Sequence, residues 1–565
     1  MKEIPSENLR NIAVIGHGQS GKTSLVSAVL YNTKMVNRLA RVDQGNTTTD
    51  YDDEEIARKI TVQAALAYAL RDKYKINMLD TPGFHNFIWE ANVAMRAVES
   101  AVILVCGQEG IQVQTEKVFG YMTDHQKPGL FVINKLRKEL ADFEKAFDSV
   151  TQLAGKSAVA VHYPIGKGPA FFGYVDLLTM KAFQFSADDK GDANETSIPA
   201  DITDRVKELR EALVEKIAEN DEQLMEKFFE QGDLSPEEIV KGLKQGIRNR
   251  SLFPVLIADA VANAGVNPLI DFITQYMPSP LDFQETPGVN GPIKTGAAGP
   301  FGGLVVKTFS DPFTGKISII RIFSGTFKPD SFYINPTRNT DERVGGLFLL
   351  QGKAQESAGE VKTGDIVAVT KLKETLTGDT LTVKGSPIQF APIHFPIPAI
   401  SFAVEPKAKA DEGKISTALQ RIMEEDPMLR SNRDPMTKEL IISGNGQLHV
   451  ELVVNKLKKR YGVDVEMKPP KIAYLETIMG KADVEKKYKK QSGGRGQYGH
   501  VLIKMEPLPR GTGFEFEETL FGSSIPRNFV PSVEKGIVEA KNAGILAGYP
   551  VADFKVNLYD GSYHE

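Results

Sequence analysis

The sequence predicts a multidomain α/β and β protein. A phosphate-loop α/β domain comes first, then an antiparallel β-barrel, a split β-α-β domain and an incomplete α+β domain. Three observations carry that expectation. At 565 residues the chain is too long for one core, and its length suits roughly three to five domains. Residues Gly16-His17-Gly18-Gln19-Ser20-Gly21-Lys22-Thr23 match G-x-x-x-x-G-K-[ST] in full, between the apolar run Ile12–Ile15 and the helical pattern Ser24–Leu30. Residues 301–390 alternate in short strands around Gly364-Asp365 and Gly378-Asp379, as a small barrel does.

The first domain, placed at 1–285, holds the elements of a phosphate-sensing switch in order. Its glycines let backbone N–H groups turn around a polyphosphate while the next helix points its positive end at it. Lys22 is expected to neutralise the outer phosphates and the Thr23 hydroxyl to hold Mg²⁺. Asp80-Thr81-Pro82-Gly83 follows the buried strand Ile76–Leu79. There Asp80 can hold the metal through water and the Gly83 N–H can meet the terminal phosphate. Thr61, in Arg58-Lys59-Ile60-Thr61-Val62, can add a second hydroxyl to the metal, so that order in its segment depends on the γ-phosphate. The acidic stretch Asp50–Glu55 before it reads as a solvated surface segment. Asn134-Lys135-Leu136-Arg137 closes the strand Leu130–Ile133, where guanine-reading proteins carry Asn-Lys-x-Asp.

An insertion at about 155–250 interrupts this domain: strands to about residue 200, then one charged amphipathic helix from Val206 to Phe229 with apolar residues at 206, 209, 213, 217 and 224. Pro and Gly at 280–300 read as a linker. The barrel is placed at 295–390. The segment 396–475 reads strand, helix (Asp411–Glu425), strand, helix (Gly446–Tyr461), strand, and so as a split β-α-β domain. The last region, 477–565, is β-rich with one helix near Phe529–Ala540. Within it, residues 481–504 hold seven Lys/Arg and two acids, net +5, around a glycine-rich loop with Gln497, Tyr498 and His500. Basic side chains there can neutralise phosphates and an aromatic can stack on an unpaired base.

Bulk numbers add little beyond exclusions. A formal charge of −5 announces no global nucleic-acid field. The lone Cys106 excludes an intrachain disulfide and reads as a buried hydrophobe. No signal core or membrane span is present in the sequence, so a cytoplasmic protein is expected. The sequence stops inside a strand-and-turn pattern at His564-Glu565, which reads as a truncated domain.

Together these segments resemble elongation factor G, a translational GTPase. Asp311-Pro312-Phe313-Thr314-Gly315-Lys316, Glu342-Arg343-Val344-Gly345 and Thr377-Gly378-Asp379-Thr380 look like its second domain. Ala403–Lys407, Glu424-Glu425-Asp426-Pro427 and Ile442–His449 resemble its third, and Gln491–His500 with Tyr559–His564 its fourth. The resemblance implies a P-loop GTPase domain, a ferredoxin-like third domain and a ribosomal-protein-S5-like tip domain. It implies GTP/GDP and Mg²⁺ as cofactors, with Thr23, Thr61 and Asp80 as metal ligands. Lys22, Thr61 and the Gly83 N–H would stabilise transition-state charge. It further implies a monomer acting on both ribosomal subunits, with rRNA, tRNA and mRNA met at the decoding centre by the loops of Arg495, Gln497, Tyr498, His500 and His564.

Four departures from the family fall around the nucleotide. Gln19 stands where the family usually has Asp, and Ala258-Asp259-Ala260 stands where it has a serine loop. Phe84 replaces the histidine that orients the attacking water, and phenylalanine has no hydrogen-bonding atom; His85 could substitute only if the loop shifted. Arg137 replaces the base-reading Asp, and a guanidinium only donates. Either Glu139 is drawn in, or Arg137 addresses acceptor atoms, or selectivity is relaxed; Asp259 could also supply a carboxylate beside Ala260. The expectation is a divergent relative whose hydrolysis is slow or absent.

Overall fold

The computed structural model describes residues 4–186, 190–311, 314–491, 493–494, 496–522 and 524–564. Arg495, Ser492, Pro312, Phe313 and Glu565, singled out above, lie outside the described residues. The chain divides into two compact units, Met1–Asn432 with Ile441–Lys468, and Arg433–Leu440 with Pro469–Glu565.

The first unit opens on a seven-stranded sheet. Strands β1 (Leu9–Gly16), β2 (Ala65–Arg71), β3 (Tyr74–Asp80), β4 (Ser100–Cys106) and β5 (Gly129–Asn134) run in the order β2-β3-β1-β4-β5, followed by Phe253–Ile257 and Ala158–Ala160. Only β2 is antiparallel to its neighbour. Every residue of β1, β4 and β5 is buried, as expected of parallel strands covered on both faces. This topology places the ends of β1, β3 and β5 along one edge, where an open α/β sheet binds its ligand. Helix α1 (Lys22–Asn32) starts immediately beyond the loop that follows β1.

The insertion differs from the sequence expectation in one respect. The apolar stripe Val206, Leu209, Leu213, Ile217 and Leu224 is buried, but it lies on two helices, Thr203–Ala218 and Glu222–Gln231. The break is at Asp221, whose carboxylate accepts from the Gln223 and Leu224 N–H groups and restarts the helix. A third helix, Pro236–Asn249, and an antiparallel sheet of His162–Ile165, Gly173–Asp176, Lys181–Phe185 and Ala193–Thr196 complete it.

The barrel domain is an eight-stranded antiparallel sheet from Gly302–Asp311 to Thr380–Thr382. It is wrapped about Val305, Ile320, Ile322, Phe327, Tyr333, Val367 and Leu381. Beyond it, Ile400–Pro406, helix Glu412–Glu425, Arg430–Arg433, Leu440–Gly444, helix Gln447–Tyr461 and Val465–Lys468 give the ferredoxin-like order β-α-β-β-α-β. In the second unit Ala482–Lys490, Gln497–Pro507, Phe554–Ser562 and Phe514–Glu518 form one sheet in that spatial order, with helix Val530–Ala543.

Candidate functional site

Backbone conformation builds the phosphate cradle. The chain leaves β1 at Gly16 (φ 143°) and turns through Gln19 (φ 62°) and Gly21 (φ 101°) before α1. Lys22 folds back over this turn, its Nζ donating to the carbonyls of Gly16 (3.1 Å) and His17 (2.7 Å). Gly83 comes so close that a Cβ there would sit 2.2 Å from Lys22 Nζ and 2.6 Å from the His17 carbonyl, so only glycine fits. Thr81, also buried, donates its hydroxyl to the Val14 carbonyl at 2.9 Å and holds the Pro82-Gly83 turn against β1. A cavity of about 330 Å³ opens above, lined by Gly18, Gln19, Gly21, Lys22, Thr23, Thr61, Gly83 and Phe84 at one end and by Lys135, Ala260 and Val261 elsewhere.

The predicted metal ligands converge. Thr23 Oγ1 and Thr61 Oγ1 are 3.0 Å apart. Thr61 donates to Asp50 Oδ1 at 2.8 Å, and Thr49 donates to Asp80 Oδ2 at 2.6 Å. The other oxygens, Asp50 Oδ2 and Asp80 Oδ1, are buried without a hydrogen-bond partner among the described residues. Such unsatisfied carboxylate oxygens beside two hydroxyls suit a hard divalent cation and its waters, so the residues fit Mg²⁺. Burial, with the neighbouring Asp80 carboxylate, pushes Asp50 up to about 7, against the Thr61 bond and Lys22. Burial raises Asp80 as well and pushes the Lys22 ammonium down to about 8. Asp50 is the candidate site residue missed in the sequence. It sits in an acidic run that reads as surface, yet it is only 4 % exposed. Ser20 Oγ is also buried without a partner among the described residues. His17 accepts from the Gln114 N–H at 3.4 Å, and burial, with the nearby Lys22, lowers its pKa.

At the base side Asn134 ties two loops together. Its Nδ2 donates to the Ser20 carbonyl (2.9 Å) and its Oδ1 accepts from Ala260 N–H (3.0 Å). Lys135, left-handed at φ 64°, crosses to the Gln19 carbonyl, while Leu136 turns into the core. Asp259 is partly engaged. Its two oxygens accept the N–H groups of Arg137 (3.0 Å) and Ala262 (3.1 Å), so it joins the two base-side loops. The Arg137 guanidinium is held by the Phe171 carbonyl through Nε at 3.3 Å. Glu139 is exposed and does not line the cavity.

Phe84 lines the phosphate end. Its ring carbons lie 3.4 Å from where a Gly18 Cβ would be, and its other side meets the apolar cluster of Ile60, Val62, Phe87, Leu448 and Leu452. His85 is exposed at the start of the short helix His85–Phe87. Trp89 packs edge-on against Phe395.

In the second unit Tyr498, His500 and His564 come together at one end of the sheet. Tyr498 Oη bonds Ser562 Oγ at 2.7 Å, and the Tyr498 and His564 ring centroids are 6.1 Å apart. Both nitrogens of His500 are engaged, Nδ1 with Ser562 Oγ and Nε2 with Glu485, each at 2.8 Å. His500 therefore positions its neighbours here, while Gln497 and the strand Ala482–Lys490 are exposed.

The phosphate loop at the end of β1, with the Thr61 hydroxyl brought 3.0 Å from that of Thr23, marks the first domain as a P-loop nucleotide-binding domain. Comparison with known proteins names the family. Residues 7–279 match the elongation factor Tu GTP binding domain. Residues 300–384, 395–469 and 470–565 match elongation factor G domains 2, III and IV. A solved crystal structure of a protein from Thermus thermophilus superposes with a TM-score of 0.88 at 32 % identity, over 99 % of this chain and 82 % of that one. The chain belongs to the elongation factor G family of translational GTPases. Among the described residues no helix is long and apolar enough to cross a membrane.

Proposed function

We propose that this protein is a ribosome-acting switch that binds GTP with Mg²⁺, promotes tRNA–mRNA movement in elongation, and hydrolyses GTP slowly. Thr23, Thr61 and Asp80 would hold Mg²⁺, which would supply positive charge against that building on the phosphate. Lys22, the Gly83 N–H and the Thr61 backbone would meet the same charge, and preorganised donors are the main catalytic resource of such sites. What these residues do not supply is a group that orients water. Phe84 occupies the phosphate end with carbon atoms alone, packed between Gly18 and the Ile60–Leu452 cluster. That observation carries the reading of slow hydrolysis. Removing a positioned proton acceptor costs about 10²–10⁴ in rate. The basic strand Ala482–Lys490 with Gln497, Tyr498 and His564 would meet RNA at the decoding centre, and the domain limits given above are the units that would move. The protein would act as a monomer in the cytoplasm.

The test is phosphate release with and without ribosomes, alongside GTP-dependent ribosome binding. The expected result is nucleotide-dependent binding with weak stimulation of release. Stimulation equal to that of an ordinary elongation factor G would defeat the reading of slow hydrolysis, and absence of GTP binding would defeat the whole.

A further inference from the structure

The segment that carries Thr61 also carries a cation with no partner among the described residues. Helix α2 (Asp53–Arg58) ends at Lys59, whose φ of 58° puts an L-residue with a long side chain in the left-handed region. That conformation is ordinarily glycine's, and a non-glycine residue holds it only where its surroundings over-determine it. The surroundings do so here. The Lys59 and Ile60 N–H groups donate to the Glu55 carbonyl, and the buried Glu55 side chain accepts from Val62 (3.0 Å) and Gln63 (3.3 Å) N–H. One residue therefore clamps the backbone on both sides of Lys59.

Lys59 is exposed and lies at the rim of the nucleotide cavity, which it lines together with Lys22, Thr23 and Thr61. The preceding Arg58 is paired with Glu54 at 3.2 Å, whereas the Lys59 side chain makes no ion pair or hydrogen bond among the described residues. The charged groups lining the cavity are Lys22, Arg41, Lys59 and Lys135 against Asp43 and Asp50. The two acids include Asp50, which faces the threonine hydroxyls.

We propose that Lys59 is a polyphosphate-binding cation delivered by the switch segment itself, in place over the nucleotide only while the segment is ordered on a triphosphate. This rests on GTP binding as proposed above. It assigns to the switch a second phosphate contact besides Thr61, one that discriminates triphosphate from diphosphate. A lysine here acts as a compact charge on a flexible stem, so arginine can replace it while an apolar isostere cannot.

The experiment measures affinities of the full chain for a non-hydrolysable fluorescent GTP analogue and for fluorescent GDP, in Mg²⁺, at low and high salt. Lys59→Met keeps the length and removes the charge; it is expected to weaken the triphosphate about tenfold with little change for GDP, the deficit shrinking as salt rises. Lys59→Arg is expected to bind as the parent. Lys59→Gly relieves the backbone, so it is expected to unfold at higher temperature yet lose triphosphate affinity like Lys59→Met. A Lys59→Met protein that binds the analogue as the parent does, or that loses GDP and GTP equally, overturns the proposal and leaves the functional reading standing. A parent chain that binds neither nucleotide sinks both.

Discussion

Replacing Arg137 by aspartate tests the base-reading argument most directly. Guanine offers a ring N–H and an amino group on the edge that a carboxylate at this position would meet, and Arg137 has only donors to set against them. Two hydrogen bonds to a charged acceptor are worth about 3–6 kcal/mol before costs. Desolvating the new carboxylate on binding takes back about half. The net expectation is about 1.5–3 kcal/mol, or GDP held some 10- to 150-fold more tightly. Adenine has no donor at that edge, so ADP should gain nothing. The protein itself should lose stability. Arg137 Nε gives up the Phe171 carbonyl, about 1 kcal/mol. The new charge also stands beside Asp259, whose Oδ2 already takes the residue 137 N–H at 3.0 Å. Titration calorimetry of GDP and ADP on both proteins reads the first effect and thermal unfolding the second. Equal GDP affinities, or a matching gain for ADP, would falsify the reasoning, because Asp259 or a backbone group would then be reading guanine already.

Other perturbations follow from the same geometry. Phe84→His puts a proton acceptor at the phosphate end, and ribosome-stimulated phosphate release should rise by about 10²-fold or more in single-turnover measurements; no change would mean that another group positions water. Glu90→Gln leaves the Lys307 ammonium without its partner at 2.8 Å, both side chains being about a tenth exposed. Chemical denaturation should show a loss of about 3 kcal/mol, whereas Glu90→Met with Lys307→Met should restore much of it. Burial pushes His162 down to about 4. A depressed histidine favours the unfolded state once that state takes up protons, so its contribution is present above pH 6.5 and lost as pH falls from there toward 4, about 3 kcal/mol in all. His162→Phe should flatten the fall in stability between pH 7 and 4, and an unchanged acid limb would show that His162 is not its source.

The phosphate loop and the Asp80–Gly83 turn were legible because each is a short stretch whose residue types are dictated by backbone geometry at a strand end. The buried stripe of the insertion was legible from periodicity for the same local reason. Its division at Asp221 was not, since a capping aspartate inside a charged helix looks like any other surface acid. The acidic stretch Asp50–Glu55 misled more seriously. Glu54 and Glu55 are buried, and Asp50 reaches the threonines, through contacts with Val62, Thr61 and the distant helix Gln447–Tyr461. The Asp52-x-x-Glu55 capping box was the available local clue that this stretch is ordered. The tie that Asp259 makes between the two base-side loops was hidden for another reason. Nothing in its neighbours reveals that two N–H groups converge on its carboxylate.

Relative strengths of the interdomain ties decide which part of the site can move. The helix Trp89–Ala94 is held to the barrel by the buried Glu90–Lys307 pair, and Glu90 also takes the Ala64 N–H at 3.0 Å. Breaking that pair strands a buried charge, a cost of several kcal/mol, so this helix stays with the barrel. Helix α2 is tied to the third domain differently. Lys459 meets Glu54 at 2.6 Å and Arg460 meets Asp52 at 2.9 Å, with the lysine 54 % and the arginine 31 % exposed. Their acids are enclosed, with Glu54 9 % and Asp52 10 % exposed, but their cations are partly solvated, so each pair holds less firmly than Glu90–Lys307. The segment carrying Thr61 is also held by the Ala64 N–H on Glu90 and by Ile60 and Val62 packed with Leu448 and Leu452, so loss of a bound terminal phosphate would loosen the contacts around Thr61 before these. The barrel-side tie is thus the more enclosed and the polar ties to the third domain the more solvated, and loss of a γ-phosphate is expected to be felt first by helix Gln447–Tyr461, through Glu54 and the Ile60–Leu452 cluster.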